Sequence, residues 1–364
     1  MVELADVFRL HAPAYLEEFG SRMPPSHIRA INDIINCRTD VLGGQVYRCD
    51  SCSHLHYSYH SCKNRHCPKC QNDQASTWLE HQTALLLPVT YFLVTFTLPE
   101  ELRPLARAHQ SAVYSTLFRS SAEALRKLAS DPRFLGGAIG MTGVLHTWAR
   151  DLSYHPHVHY IVPGGALSTD GTWIPSNPKF LVPVKALSKL FRGIFLTALK
   201  KAGLASSLPD DIWSKPWVVH CKPVGSGAPA LKYLARYVFR VAIANQRILA
   251  LHDGIVTFQT RDSDTGQMRR CRLAAKEFIR RFLQHVLPRG FVKVRSYGIL
   301  SSSNRPQLRQ VRSLLNAPAH QPAPPSLGPA VPSAQDPAPV CPRCGGPLRL
   351  IEIVRARSPP RPIP

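Results

Sequence analysis

No stretch of this chain is apolar for long enough to cross a bilayer: the longest such run, Leu85 to Leu98, falls short of the roughly 20 residues a span needs and contains Pro88. The first residues, Met1-Val2-Glu3-Leu4-Ala5-Asp6, carry acids where a secretory leader would be basic and then apolar, so no leader is expected. Acidic residues are scarce throughout, 23 Asp and Glu against 45 Lys and Arg, which leaves a net charge of +22 and a pI near 10. The natural partner is therefore a polyanion, nucleic acid first and a membrane surface as the weaker candidate. No repeat of fixed period is present. The 364 residues, 44% hydrophobic and 19% charged, supply enough apolar material for two or three cored domains.

What the chain does have is cysteine and histidine in patterns. Residues 1 to about 36 read as helical, with Val7, Leu10, Tyr15, Phe19 and then Ile28, Ile31, Ile35 at helix-like intervals and a break at Pro24-Pro25. Ten cysteines without a leader belong to a reducing compartment, where CxxC pairs bind metal rather than form disulfides. Cys49-Asp50-Ser51-Cys52 and Cys67-Pro68-Lys69-Cys70 are two such knuckles, separated by 14 residues. In a zinc site each knuckle points two sulfurs at one ion, so Cys49, Cys52, Cys67 and Cys70 are expected to form one tetrahedral zinc site, with redox thiols as the competing reading. Cys37, Cys62 and His66 are left over and, with a nearby histidine, could complete a second ion. Arg48, Lys63, Arg65, His66 and Lys69 surround the knuckles, which makes the module a candidate DNA-contacting platform as well as a staple.

The second pattern is His155-Pro156-His157-Val158-His159-Tyr160-Ile161-Val162, followed by Pro163-Gly164-Gly165. Side chains alternate across a strand, so His155, His157 and His159 would share one face and Val158, Tyr160 and Val162 the other. Three imidazoles on one strand face have the geometry of a metal site, and Gly143 to Trp148 can supply an antiparallel neighbour. A packed or solvated histidine cluster is the plainer alternative. Around this strand, Val89 to Leu98 reads as a strand buried on both faces, and Trp78 to Leu87, residues 99 to about 129, 185 to 203 and 274 to 286 as helices. Trp217 to Pro223 and Phe291 to Leu300 read as extended, and Ile255 to Arg272 as a hairpin turning at Asp262 to Gly266.

Gly225 to Ala242 reads as a helix entered through a glycine-rich turn, with Pro229 near its first position. At about 100° per residue, Leu231, Leu234, Ala235, Val238, Val241 and Ala242 gather on one side, and Lys232, Tyr233, Arg236, Tyr237 and Arg240 on the other. Tyrosines half-packed against a neighbouring element would give the same pattern. A basic chain with a histidine-bound divalent ion and two tyrosines one helical turn apart nevertheless has the parts for cutting a phosphodiester. A phenolic oxygen would attack, and the ion would offset charge on the leaving 3′ oxygen.

HPHVH followed by IVPGG, the helix LKYLARYVFRVAIANQRI and the block CDSC…SCKNRHCPKC together resemble the two-tyrosine HUH rolling-circle transposases of bacterial insertion sequences, the insertion-sequence ninety-one family. The match runs over most of residues 1 to 315, and the CPRCGG of the tail resembles theirs too. The resemblance implies an α+β catalytic domain of ferredoxin-like or RNA-recognition-like type whose antiparallel sheet carries the histidine pair on a central strand, plus a small N-terminal zinc-binding module. It further implies nicking and joining of single-stranded DNA at the ends of the element and in its target, with Mg²⁺ or Mn²⁺ in the site and structural Zn²⁺ in the module. The family's histidine pair falls on His157 and His159 and its tyrosines on Tyr233 and Tyr237. For a third ligand the candidates are His155, Asn245 and Gln246. Lys232, Arg236, Arg240, Arg65 and Lys69 are the expected DNA contacts, in a bacterial, cytoplasmic and nucleoid-associated protein.

The expected division is a helical and zinc-binding domain over 1–88, a catalytic domain over 89–315, a Pro-rich linker over 316–340 and a tail over 341–364. Eight of the 24 residues from Ala317 to Val340 are proline, which gives a semi-rigid segment without a core. Cys341-Pro342-Arg343-Cys344 is a single knuckle: either it binds no ion alone, or it borrows ligands from a second subunit or from nearby histidines. A non-catalytic zinc-dependent DNA-binding regulator is the rival function, and it leaves the histidine strand and the tyrosine helix unexplained. A hydrolytic metalloenzyme fits less well, since Tyr160, Ile161 and Val162 offer no acidic ligand after the histidines. Nothing in the sequence sets the oligomeric state.

Overall fold

The computed structural model describes residues 2–70, 72–206, 208–238, 242–262, 265–317 and 339–357. Helices α1 (Leu4–Phe19) and α2 (Pro25–Asn36) lead into strands β1 (Gly44–Cys49) and β2 (Leu55–Tyr59) and helix α3 (Asn72–Ala84). Strand β3 (Tyr91–Thr97), helices α4 (Arg103–Ala108) and α5 (Gln110–Ala129), strands β4 (Gly140–Trp148), β5 (Tyr154–Pro163), β6 (Gly165–Leu167) and β7 (Trp173–Pro175), helix α6 (Val184–Lys201) and strand β8 (Val219–Pro223) follow. Then come helix α7 (Ala228–Val238), strands β9 (Ile248–His252), β10 (Ile255–Arg261) and β11 (Met268–Ala274), helix α8 (Ala275–Leu283), strand β12 (Val294–Gly298), helix α9 (Arg305–Leu314) and strand β13 (Leu348–Val354). The class is mixed α and β with antiparallel sheets. No helix of the described residues is long and apolar enough to cross a membrane.

The main sheet has the order β12-β4-β5-β3-β8, every neighbouring pair antiparallel, so the histidine strand β5 is the central one. Its alternation builds two unlike faces. Val158, Tyr160 and Val162 join Phe92, Val94, Phe96 and Leu145 on one face, buried beneath Val113, Leu117 and Phe118 of α5 and Leu187, Phe191 and Phe195 of α6. Burial of each large side chain here contributes roughly 1.5–3 kcal/mol. Tyr160 brings a polar atom into this core and satisfies it, its hydroxyl donating to the Phe118 carbonyl at 3.0 Å and meeting Ser121 Oγ at 2.9 Å. Gly143, its cross-strand partner, makes the room: a Cβ there would stand 2.4 Å from the Tyr160 ring.

The other face carries His157, His159 and Ile161 of β5 and, by register, Thr95 and Leu93 of β3 and Val144 and His146 of β4. Ala230, Leu231 and Leu234 of α7 pack on Leu93, Val144 and Ile161, with Trp78 and Leu79 of α3 alongside. A second core joins the N-terminal helices to a distant part of the chain. Leu4, Val7, Phe8, Ile31 and Ile34 bury against Phe258 of β10 and Phe278, Ile279 and Phe282 of α8. Sequence periodicity does not show that partnership, because each element alone is only half of an amphipathic pair. A separate three-stranded sheet has the order β13-β1-β2, so the tail returns to the N-terminal module.

The expected helix over residues 99–129 is two helices broken at His109, whose backbone sits at φ −127° and ψ 49°. Strands β1, β2, β6, β7, β9 and β13 and helix α9 were not expected at all.

Candidate active site

His146, His157 and His159 converge, and their nitrogens all lie within 4.8 Å of one another. Ring centroids are 4.6 Å apart for His146 and His159, 5.1 Å for His146 and His157, and 4.8 Å for His157 and His159. Strand register accounts for it: His146 pairs directly with His157, and Val144 with His159. Each ring is held in place. Nδ1 of His157 donates to the His155 carbonyl at 2.6 Å, which leaves Nε2 with the lone pair. Nδ1 of His159 meets Thr95 Oγ1 at 2.7 Å, and the His146 ring stacks on Trp148 at 5.5 Å and 14°. Burial pushes the pKa of His157 down to about 4 and those of His146 and His159 well below the usual imidazole range. All three are neutral at neutral pH, as metal ligands must be, and outer contacts already fix two of the rings. The set fits a divalent ion.

His155 is not part of it. Its Nδ1 accepts from the Arg103 guanidinium of α4 at 3.2 Å, and burial together with that cation lowers its pKa. The third histidine is His146, on the neighbouring strand, which sequence reasoning identified only as part of a pairing run. Register would have found it, since alternation along Gly143 to Trp148 puts one histidine on the shared face. Asn245 is engaged elsewhere: its Oδ1 accepts from Leu4 N at 3.1 Å and its Nδ2 donates to Glu3 at 3.3 Å, which ties down the start of α1. Gln246 is exposed.

The tyrosine helix lies across this same face. Tyr233 and Tyr237 occupy α7 one turn apart, and Leu231, Leu234 and Ala235 form its buried stripe as expected. Lys232 is exposed. The side chains of Tyr233, Arg236 and Tyr237, and the whole of Val241 and Arg240, lie outside the described residues. Arg65 donates to the Phe291 carbonyl at 2.7 Å, and Lys69 pairs with Glu3 at 2.5 Å, so both expected DNA contacts are engaged within the chain.

The cysteines sort differently from the expectation. Cys37, Cys62, Cys67 and Cys70 form one group with sulfurs within 4.8 Å, and Cys49, Cys52, Cys341 and Cys344 another. The four residues Cys49, Cys52, Cys67 and Cys70 are therefore not one site. The physical reason is that Cys49 and Cys52 close the turn from β1 to β2, where β13 runs alongside, while Cys67 and Cys70 sink into the core with Cys37. Cys37 Sγ lies 3.4 Å from Cys70 Sγ, and Cys62 Sγ 3.6 Å from it. His66 belongs to neither group: it is buried, and its Nε2 accepts from Leu287 N at 3.3 Å.

Residues 140–307 match a family model described as "Putative transposase", and residues 7–98 one described as "Transposase zinc-binding domain". The putative transposase y4qJ of Sinorhizobium fredii is 42% identical over 348 residues, covering 88% of this chain and 87% of the relative. The chain belongs to the insertion-sequence ninety-one family of transposases. The transposase for insertion sequence element IS801 of Pseudomonas savastanoi pv. phaseolicola is 28% identical to this transposase over 308 residues, 79% of this chain and 73% of the relative. A solved structure, the conjugative relaxase TrwC in complex with mutant OriT DNA, matches 60% of this chain and 72% of its own at 12% identity and a TM-score of 0.26. The matched family regions place a DNA-acting transposase unit behind a zinc-binding domain, and the tail at Cys341 and Cys344 lies beyond both.

Proposed function

We propose that this transposase nicks and rejoins single-stranded DNA at the ends of its insertion sequence through a covalent 5′-phosphotyrosine formed by Tyr233 or Tyr237. The observation that supports it most is the convergence of His146, His157 and His159 on the face that α7 crosses. Those histidines would hold Mg²⁺ or Mn²⁺, which when bound supplies charge at a non-bridging phosphate oxygen and at the leaving oxygen. The phenolic oxygen bonds to phosphorus, the bond to the 3′ oxygen breaks, and the phenol's proton passes through solvent to that oxygen, which departs as a hydroxyl. The reverse step rejoins a strand without an external energy source, and a second tyrosine lets one site handle two transfers. We further read residues 89–315 as the catalytic domain, of ferredoxin-like or RNA-recognition-like type, and residues 1–88 as the zinc module, with Zn²⁺ at Cys37, Cys62, Cys67 and Cys70 as its staple. Lys232, Arg236 and Arg240, close to the tyrosines in sequence, are the DNA contacts of this reading.

The test is to incubate the protein with labelled single-stranded oligonucleotides from the ends of its element and Mg²⁺ or Mn²⁺, then denature. A resistant adduct mapping to the peptide that contains Tyr233 and Tyr237, and lost in the Tyr233→Phe, Tyr237→Phe double variant, is expected. An adduct that survives the double change refutes the assignment, and sequence-specific binding with no adduct at all returns the non-catalytic regulator.

A further inference from the structure

Cys341 and Cys344, beyond the matched family regions, sit against a knuckle from the other end of the chain. Cys49 Sγ lies 3.4 Å from Cys344 Sγ and Cys52 Sγ 3.8 Å from Cys341 Sγ, with all four sulfurs within 4.8 Å. Four thiolates around one ion at about 2.3 Å are separated by roughly 3.8 Å along the edges of the tetrahedron. A disulfide would bring two of them to about 2.05 Å. The spacing is that of ligands sharing an ion. Each pair is also shaped by its own turn: Ser53 N donates to the Cys49 carbonyl at 3.0 Å, and Gly345 N donates to the Cys341 carbonyl at 2.8 Å. The two turns close tightly on each other, because a Cβ at Gly346 would stand 2.4 Å from Ser51 Oγ.

Little else holds the tail there. Strand β13 pairs with β1 from Gly44 opposite Val354 to Cys49 opposite Leu348, and a bulge between Val46 and Tyr47 interrupts the ladder. Of its apolar side chains Leu348 is buried, whereas Leu350 and Ile351 remain 43% exposed and Ile353 67%. The ion pairs Arg349 with Asp50 and Arg357 with Asp40, both at 3.2 Å, join exposed groups and contribute little. A ladder with so small an apolar face is marginal in water.

We propose that Cys49, Cys52, Cys341 and Cys344 form a second zinc site, made by two knuckles from opposite ends of the chain, and that its ion is the clasp that docks residues 339–357 on the N-terminal module. Four thiolates in a tetrahedron select zinc, or a single iron, over harder ions. The two cysteine sites differ in access. In the first, Cys37, Cys67 and Cys70 are buried and Cys62 is partly so, whereas in the second Cys52 and Cys344 are exposed. A chelator reaches the clasp first, and the tail lifts while the core site keeps its ion.

The experiment uses full-length protein and two readouts, metal content by plasma mass spectrometry and trypsin cleavage after Arg349 within β13. The wild type is expected to hold two zinc ions per chain and to resist cleavage there. The Cys341→Ser, Cys344→Ser variant is expected to hold one, to be cut after Arg349 at least tenfold faster, and to keep its far-ultraviolet circular dichroism. Cys49→Ser, Cys52→Ser should reproduce that pattern from the other half of the site, so failure of one variant to fold does not remove the test. A wild type with one zinc, a tail variant that keeps two, or one-zinc variants in which Arg349 stays protected would each overturn the proposal. The last outcome would mean that strand pairing alone docks the tail.

Discussion

The two faces of the central sheet are built from the same strands and do opposite things. Under α5 and α6, every side chain from β3 and β5 is apolar or, like Tyr160, has its polar atom satisfied, so that face is closed. Under α7 the apolar contacts stop at Leu93, Val144 and Ile161, and the rows continue into Thr95, His146, His157 and His159. A strand alternates with period two, so β5 can serve both ends at once: its even positions fold the domain, and its odd positions carry the histidines proposed to hold the ion. On that proposal stability and chemistry are separable by residue parity, and mutations should obey the division.

The largest effect is expected from the histidine face. Replacing His157 and His159 together by Ala should lower nicking about 10³-fold, roughly 4 kcal/mol of lost transition-state stabilisation. Affinity for single-stranded DNA should change little, because phosphate contacts come from the lysine and arginine surplus. Gel-resolved nicking beside fluorescence anisotropy checks both, and a large drop in thermal stability in this variant would break the division.

Phe96→Ala probes the closed face, where the ring is fully buried against Phe191 at 5.0 Å and Tyr160 at 5.8 Å. A loss of about 3–5 kcal/mol in urea unfolding is expected, with nicking per folded molecule unchanged. A variant that is stable but inactive would put catalytic function on the wrong side of the sheet.

Acid should give a smaller effect. His285, 3% exposed, has its pKa lowered to about 4 by burial, its Nε2 donating to the Leu152 carbonyl at 3.1 Å. Its unfolded value is near 6.5, so the unfolded chain takes up the proton first as pH falls, and the stability contributed by neutral His285 is present above about 6.5 and lost on the way to about 4. On the order of 2 kcal/mol should be gone by pH 5 from this residue, measured as the difference in urea midpoints between pH 7.5 and 5 for wild type and His285→Phe. Equal pH dependence in the two proteins would assign the acid sensitivity elsewhere.

How much of this could be read from residues alone follows from range. Strands β3 and β5, helices α6 and α8 and the β10–β11 hairpin were legible because a single period governs each. His157 and His159 were legible for the same reason. His146 was not chosen as the third ligand because its role depends on which strand pairs with β5 and in what register, a two-segment property. The cysteine partition failed more completely: spacing pairs neighbouring knuckles, while the fold joins Cys49 and Cys52 to residues almost three hundred positions away. Strand β13 went unread for a related reason, since its partner β1 is the far end of the chain and much of its apolar surface stays in solvent.

The bond that orients His157 bears on which neighbouring substitutions the ring tolerates. Its acceptor is the main-chain carbonyl of residue 155, so the orientation of the ring is set by the backbone of β5 and not by any side chain. A substitution at position 155 that leaves the strand unbent keeps that carbonyl in place. His155→Ala should therefore remove the contact with Arg103 and leave the aim of the ring two positions on unchanged.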